Sequence, residues 1–393
     1  MLDPADLYRH PNDLAPHYSR FRVADRLLLT GHSHQAWPDR GFGGQRQAWL
    51  DAAELVDEKW ERAFARAERV RRGYARLLDD DDGHIALASS THDLVVRFLS
   101  ALPLRDRRRL VTSDGEFHTI RRQLDRLGEE GIEMVKVPAL PAADLAERLS
   151  AAVDDRTAAV LVSCVLFENA HIVPGLGELV RICGRVGTEL LVDAYHALNV
   201  VPFSLREEKL TDAFVVGGGY KYCQLGEGNG FLRFPARREL RPVITGWFSE
   251  FSALGSRAEG GVTYPDGPDR FAGATYDPTS HYRASEILDF FVEHELTSTL
   301  LRDVSQHQIR LLAERFDSMD ADPSLITRDR SVSLDRLGGF LALRTPEAAE
   351  LCRKLRERDV YTDYRGDILR LGPAPYLSDR QLQTAMDAIG EII

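Results

Sequence analysis

Seven short apolar runs between residues 84 and 234 constrain this chain more than any other feature. HIALASS (84–90), RLVTSD (109–114), EMVKVP (133–138), TAAVLVSCV (157–165), TELLVDA (188–194), AFVVGG (213–218) and GFLRF (230–234) read as strands. Segments 91–102, 119–128, 142–153 and 175–186 lie between them and read as helices. The runs are rich in Val, Leu and Ile without polar alternation, as expected of strands buried on both faces. A mainly parallel seven-stranded sheet covered by helices, an α/β layered domain, is the architecture this pattern specifies. In such sheets ligands bind beyond the carboxyl ends of the strands, so the residues after each run carry the functional reading.

Beyond residue 281 the rhythm changes. Helical stretches cover 281–317, VSLDRL (332–337) and GFLALR (339–344) read as strands, and a helix follows over 346–358. VYTDYR (360–365) and DILRLG (367–372) read as strands, and a last helix starts near Ser378. This predicts an N-terminal arm over 1–30, a large domain over 31–280 and a smaller α+β domain over 281–393. Residues 240–280, rich in Gly, Pro and aromatics, form an irregular region of the kind that carries function in compact enzymes.

Composition narrows the partners. The net charge is −11 and no basic stripe is present, which argues against nucleic acid. No run of 18 apolar residues is found, so no membrane span is expected. The charged, proline-broken opening lacks the apolar core of a signal peptide. Cys164, Cys183, Cys223 and Cys352 are scattered without a CxxC pair, which argues against a disulfide framework and a zinc site and suits a cytoplasmic protein. There are only five lysines, and arginine is the default cation, so Lys221 inside GGGYKYCQLGEGNG (217–230) stands out. Lysine, unlike arginine, can lose its proton and become a nucleophile.

Four groups follow the strands. Ser89-Ser90-Thr91 opens a helix, either as a plain cap or as a phosphate site. Phe117 lies beyond the second run, as a core aromatic or a ring to stack on a planar ligand. Asp193 ends the LLVD strand with His196 three residues later. The acid is a helix cap or the partner of a protonated ring nitrogen. Lys221 is a salt-bridge partner or a covalent catalyst. Together they describe a ligand with a phosphate, a flat ring, a ring nitrogen needing a carboxylate and a carbonyl an amine can capture. Pyridoxal 5'-phosphate (PLP) has all four.

At this point the chain resembles the fold type I PLP-dependent enzymes of the class V aminotransferase group, and within them kynureninase. SSTHDLVVRF (89–98) resembles the phosphate loop, GEFHT (115–119) the ring-stacking segment, and VDAYHALN (192–199) the Asp-x-x-His motif. GYKY (219–222) resembles the Schiff-base lysine motif. TGHSHQAWP (30–38), GWF (246–248), RFAGAT (270–275) and LRLGPAPYLSD (369–379) resemble substrate and interface loops. The resemblance implies that Lys221 carries the cofactor and that Asp193 holds its ring nitrogen beside His196. Phe117 would stack on the ring, while Ser90, Thr91 and Tyr220 bind the phosphate. Tyr220 would also relay a proton. Arg370 would clamp the substrate α-carboxylate, with His32 and Ser33 nearby. Trp247 and Thr275 would reach the phosphate of a partner subunit, making a homodimer with sites at its interface. The implied reaction is hydrolytic Cβ–Cγ cleavage of a kynurenine-like amino acid, with aminotransfer, elimination or epimerisation as alternatives and a non-catalytic binding protein as a further one. Ile120 replaces an acid of the family, Ser249-Glu250 follows GWF where a histidine is expected, and Tyr276-Asp277 precede Pro278. These departures surround the substrate more than the cofactor.

Overall fold

The computed structural model describes residues 3–253 and 261–393. Two long helices that the strand pattern did not announce precede the large sheet, α1 (Arg40–Leu55) and α2 (Lys59–Leu78). Their signal was helical periodicity inside a highly charged stretch: Ala63, Ala67, Val70, Tyr74 and Leu78 form the buried stripe of α2.

The large sheet uses β1 (His84–Ala88), β2 (Arg109–Ser113), β3 (Glu133–Val137), β4 (Thr157–Ser163), β5 (Glu189–Asp193), β6 (Phe214–Gly218) and β7 (Gly230–Phe234). The spatial order is β1-β7-β6-β5-β4-β2-β3. Helices α3 (Thr91–Ala101), α4 (His118–Glu129), α5 (Leu145–Ala152) and α6 (Leu176–Arg185) alternate with the strands. The expected seven-stranded, mainly parallel sheet is present. Its exception is β7, antiparallel to both β1 and β6. Loop 219–229 joins β6 to β7 and is too short for a crossover helix, so the chain must turn back on itself. Strands β4 to β7 are buried throughout. Each Val or Leu buried there contributes roughly 1.5–3 kcal/mol.

The predicted helical stretch 281–317 is two helices, α7 (Thr279–Glu293) and α8 (Ser298–Ser318). They are separated at Glu295, whose φ is +53°, and Thr297 caps α8 by accepting from Leu300 N. Helix α7 packs on α1 and α2: the Tyr282 hydroxyl donates to Asp51 at 2.8 Å, and Arg66 pairs with Glu286 at 2.5 Å.

A four-stranded antiparallel sheet follows, from β8 (Thr327–Arg328), β9 (Leu341–Arg344), β10 (Asp363–Arg365) and β11 (Ile368–Leu371) in the order β10-β11-β9-β8. Helices α9 (Ala348–Arg356) and α10 (Asp379–Gly390) flank it, and Ser378 and Gln381 build a capping box on α10.

Two strand expectations change. Residues 332–337 are not a strand; they contain a short 3-10 turn at Leu334–Arg336. Their backbone acceptors are taken by other elements: Arg302 donates to the Asp335 and Leu337 carbonyls, and Ile172 N donates to that of Arg336. The 360–365 run divides in two. Val360–Tyr361 pairs in parallel with Leu27–Leu28, and the chain then changes partner at buried Thr362 to enter β10. The N-terminal arm is thereby tied to the C-terminal region, and Gln381 Nε2 donates to the Val23 carbonyl at 2.8 Å.

Candidate active site

Strands β4, β5 and β6 deliver their carboxyl ends to one cavity of about 330 Å³. Ser90, Thr91, Phe117, Asp193, His196, Tyr220 and Lys221 all line it. The residues singled out from the sequence after the strands thus meet at one cavity, and local structure explains each position.

Asp193 is the last residue of β5, opposite Ser163 of β4 in register. Its Oδ1 accepts from Tyr195 N at 2.8 Å. Burial pushes its pKa up, while that hydrogen bond and Lys221 pull it down. Lys221 lies past the end of β6, and its Nζ is 2.6 Å from His196 Nε2. The ammonium also stands 5.0 Å from the Tyr195 ring centroid and 5.5 Å from that of Phe117. Burial lowers the Lys221 pKa to about 7, against the opposing pull of Asp193. Near neutrality a large share of this amine is unprotonated and nucleophilic. His196 is driven well below its ordinary value by burial, so it is neutral, and its Nδ1 has no partner among the described residues.

At the opposite end, Ser90 caps α3 by accepting from Asp93 N at 3.2 Å, and Thr91 Oγ1 donates to the Gly217 carbonyl at 2.8 Å. Capping is thus observed at Ser90, and both residues still face the cavity. A Cβ on Gly230 would stand 2.6 Å from Ser90 C and Thr91 N, so only glycine lets β7 lie against this helix start. A helix N-terminus with its free amides suits a phosphate. The donor set fits PLP: helix start for phosphate, Phe117 for a ring face, Asp193 for a ring nitrogen, Lys221 for the aldehyde.

Other expected residues lie elsewhere. Trp247 packs on Phe248 with ring centroids 4.4 Å apart. Thr275 lines a second cavity, with Arg71, Arg97 and Tyr276, which meets the first at Ser89. Neither residue lines the Lys221 cavity of its own chain. Residues 246–257, the loop that carries GWF and is expected to help select the substrate, are described to residue 253; the remainder lies outside the described residues. Ser33 Oγ donates to the Thr30 carbonyl within a turn. His34 stacks on Tyr220 with centroids 4.9 Å apart. His32 is fully buried, with Nε2 2.7 Å from Asp363 Oδ1. Arg370 is also buried; its Nε and Nη2 donate to the two oxygens of Asp363 at 2.9 and 2.7 Å, and Nη1 donates to the Phe167 carbonyl at 2.8 Å.

Three residues of the neighbourhood were not singled out from sequence. Tyr195 sat inside the quoted Asp-Ala-Tyr-His without a role. Glu116 preceded the stacking Phe. Asp363 had no motif around it.

Residues 301–389 match the kynureninase C-terminal domain family. The chain is 27% identical to isopenicillin N epimerase of Streptomyces clavuligerus over 86% of this chain and 87% of that protein. It is 23% identical to kynureninase of Bacillus mycoides over 89% and 80% of the two chains. In fold it resembles a C-DES mutant with glycine covalently linked to the PLP cofactor, with TM-score 0.83, 15% identity and coverage of 96% and 98%. The sheet with its smaller C-terminal domain has the fold of the fold type I PLP-dependent enzymes, and the chain resembles their class V group, with kynureninase and an epimerase among its distant relatives.

Proposed function

We propose that this enzyme cleaves the Cβ–Cγ bond of a kynurenine-like amino acid with water, yielding an anthranilate-type acid and alanine. The observation that carries the reading is the buried Lys221 amine beside neutral His196, facing Asp193 in a cavity walled by Phe117, Phe167 and Tyr195. The kynureninase-type C-terminal segment supports the choice of reaction.

Bound PLP would supply an aldehyde to capture the substrate amine and a ring to take up the electrons released at its α-carbon. Lys221 would anchor the cofactor, and its amine would take the proton from the α-carbon. Asp193 keeps a ring nitrogen protonated through its unshared oxygen. Phe117 covers the ring face, and His196 holds the lysine amine in place. Ser90, Thr91 and Tyr220 are assigned to the phosphate. Tyr220 also delivers a proton as the acyl group leaves. Water adds at the γ-carbonyl, the Cβ–Cγ bond breaks, the water oxygen stays on the aryl acid, Cβ gains a proton to become the methyl of alanine, and Lys221 returns a proton to the α-carbon. Arg370 is assigned to the substrate α-carboxylate, with His32 and Ser33 behind it. Trp247 and Thr275, distant from their own cavity, are assigned to the site of a second copy in a homodimer. Residues 1–30, 31–280 and 281–393 serve as arm, PLP-binding domain and small domain, in a cytoplasmic protein.

Relatedness to an epimerase supports a second reading, in which the α-proton is removed and returned without bond cleavage. Desulfuration lacks a suitable nucleophile among the described cysteines: Cys223 is buried with its thiol pushed far up, and Cys352 lies within α9. The deciding experiment offers kynurenine and 3-hydroxykynurenine to PLP-loaded protein and follows products by mass. An anthranilate-type acid plus alanine is expected, and Lys221→Ala should remove both turnover and the absorbance of covalently held cofactor. Exchange of the α-hydrogen for deuterium without cleavage would instead favour epimerisation and sink the hydrolase.

A further inference from the structure

Arg370 already has a carboxylate. Asp363 of β10 and Arg370 of β11 are direct cross-strand partners, so the strand pairing itself sets them face to face. The pair is two-pronged, with Asp363 on the Nε and Nη2 edge and the Phe167 carbonyl on Nη1, so every guanidinium nitrogen is engaged. Two-pronged arginine–carboxylate pairs are the strongest of their kind. Asp363 Oδ1 also lies 2.7 Å from Nε2 of His32, which is fully buried and whose remaining ring nitrogen has no partner among the described residues. A Cβ on Gly372 would lie 2.2 Å from His32 Nδ1, so glycine makes the room that brings the imidazole here. The His32 ring also rests on Phe340, with centroids 4.8 Å apart. The other charged or titratable groups that act on this cluster are Arg365, whose Nη1 lies 3.8 Å from Asp363 Oδ2, and Lys221, His196 and Tyr222.

We propose that Asp363 is a specificity-determining residue: it occupies the edge of Arg370 that a substrate carboxylate would use, so an incoming α-amino acid must compete with it. This rests on the assignment of Arg370 to the substrate carboxylate. Two carboxylates on one guanidinium repel each other, and the competition weakens binding of every ligand that carries an α-carboxylate. An amine without that group meets no such opposition. The site thereby narrows the advantage that α-amino acids hold over simple amines, and substrate selection falls more heavily on the side chain.

The test is a spectral titration of PLP-loaded wild type and Asp363→Asn with L-alanine and with ethylamine, which differ by the carboxylate alone. Asparagine keeps the shape and removes the charge. Cofactor content and melting temperature establish that the variant is folded, and Asp363→Ala serves if Asn is not. The expected result is about tenfold tighter alanine binding in the variant, with ethylamine within about twofold of wild type. Weaker alanine binding with ethylamine unchanged would overturn the proposal and make Asp363 an orienting group for Arg370. Equal shifts for both ligands would overturn it as well. Arg370→Gln separates the two layers: if it leaves alanine and ethylamine binding unaltered, the assignment of Arg370 fails first. Because the readout is ligand binding, a missing kynurenine reaction leaves this test intact.

Discussion

Glu116 sits in the protein interior within reach of Asp193's field, and its two oxygens take hydrogen bonds from Ser113 at 2.6 Å and Ser163 at 2.7 Å. Burial raises its pKa from 4.5 to about 7, and the charge of Asp193 adds to the rise. A carboxyl raised in the folded state stabilises the protein fully below its unfolded pKa, and that contribution is lost as pH climbs through the folded value. Between pH 4.5 and 7 the folded chain keeps a proton that the unfolded chain gives up, so stability falls by about 1.4 kcal/mol per pH unit from this group. Glu116→Gln removes the titration while leaving an acceptor and a donor for the two serines. The melting temperature of cofactor-free protein should therefore drop less between pH 5.5 and 8.5 in the variant than in wild type. Parallel curves would show that the group does not titrate there. At this scale legibility depended on contrast. Lys221 could be picked out because lysine is rare in the chain. Asp363 is one of 61 acidic residues and has no motif around it, so only the fold, by pairing β10 with β11, reveals what it touches.

Elements were legible where burial alone decides them. The runs that became β4, β5 and β6 have unbroken apolar centres, AAVLV, LLV and FVV, and a strand buried on both faces is the reading these favour. Residues 332–337 have a comparable local look yet give their carbonyls to Arg302 and Ile172, a tertiary choice that local pattern does not encode. The meeting of β7 with α3 is also tertiary, but it leaves a mark in sequence, the glycine at 230. Gly230→Ala would force a Cβ into the backbone of Ser90 and Thr91, where no flexible side chain can yield. Overpacking of this kind costs about 1–3 kcal/mol. The helix start that faces the cavity would be displaced with it. We expect a lower melting temperature together with weaker PLP binding, measured by titrating cofactor into the apoprotein. Loss of stability with unchanged PLP affinity would detach this helix start from the phosphate.

The molecule as a whole leaves two of the assigned cofactor residues away from the cofactor cavity. Trp247 is 45% exposed and Thr275 lies on the wall of the second cavity, whereas Ser90, Thr91 and Lys221 line the first. Phe251, also on that second wall, is 47% exposed. Both facts make sense if a second copy covers this region and receives Trp247 and Thr275 at its own phosphate site. Closed twofold pairing would then give each dimer two sites, each built from both chains. Complementation tests the geometry directly. Lys221→Ala spoils the site on its own chain, and a Trp247→Ala, Thr275→Ala double variant spoils the site on the partner. Each homodimer is expected to be inactive or nearly so. In a mixed dimer both defects fall on one site and the other is intact. Mixing the two proteins after dissociation should restore about a quarter of wild-type activity, because about half of the dimers are mixed and each has one working site. Light scattering should report twice the chain mass for the wild type. A mixture that stays inactive, or a monomer by mass, would return Trp247 and Thr275 to a purely structural role in their own chain.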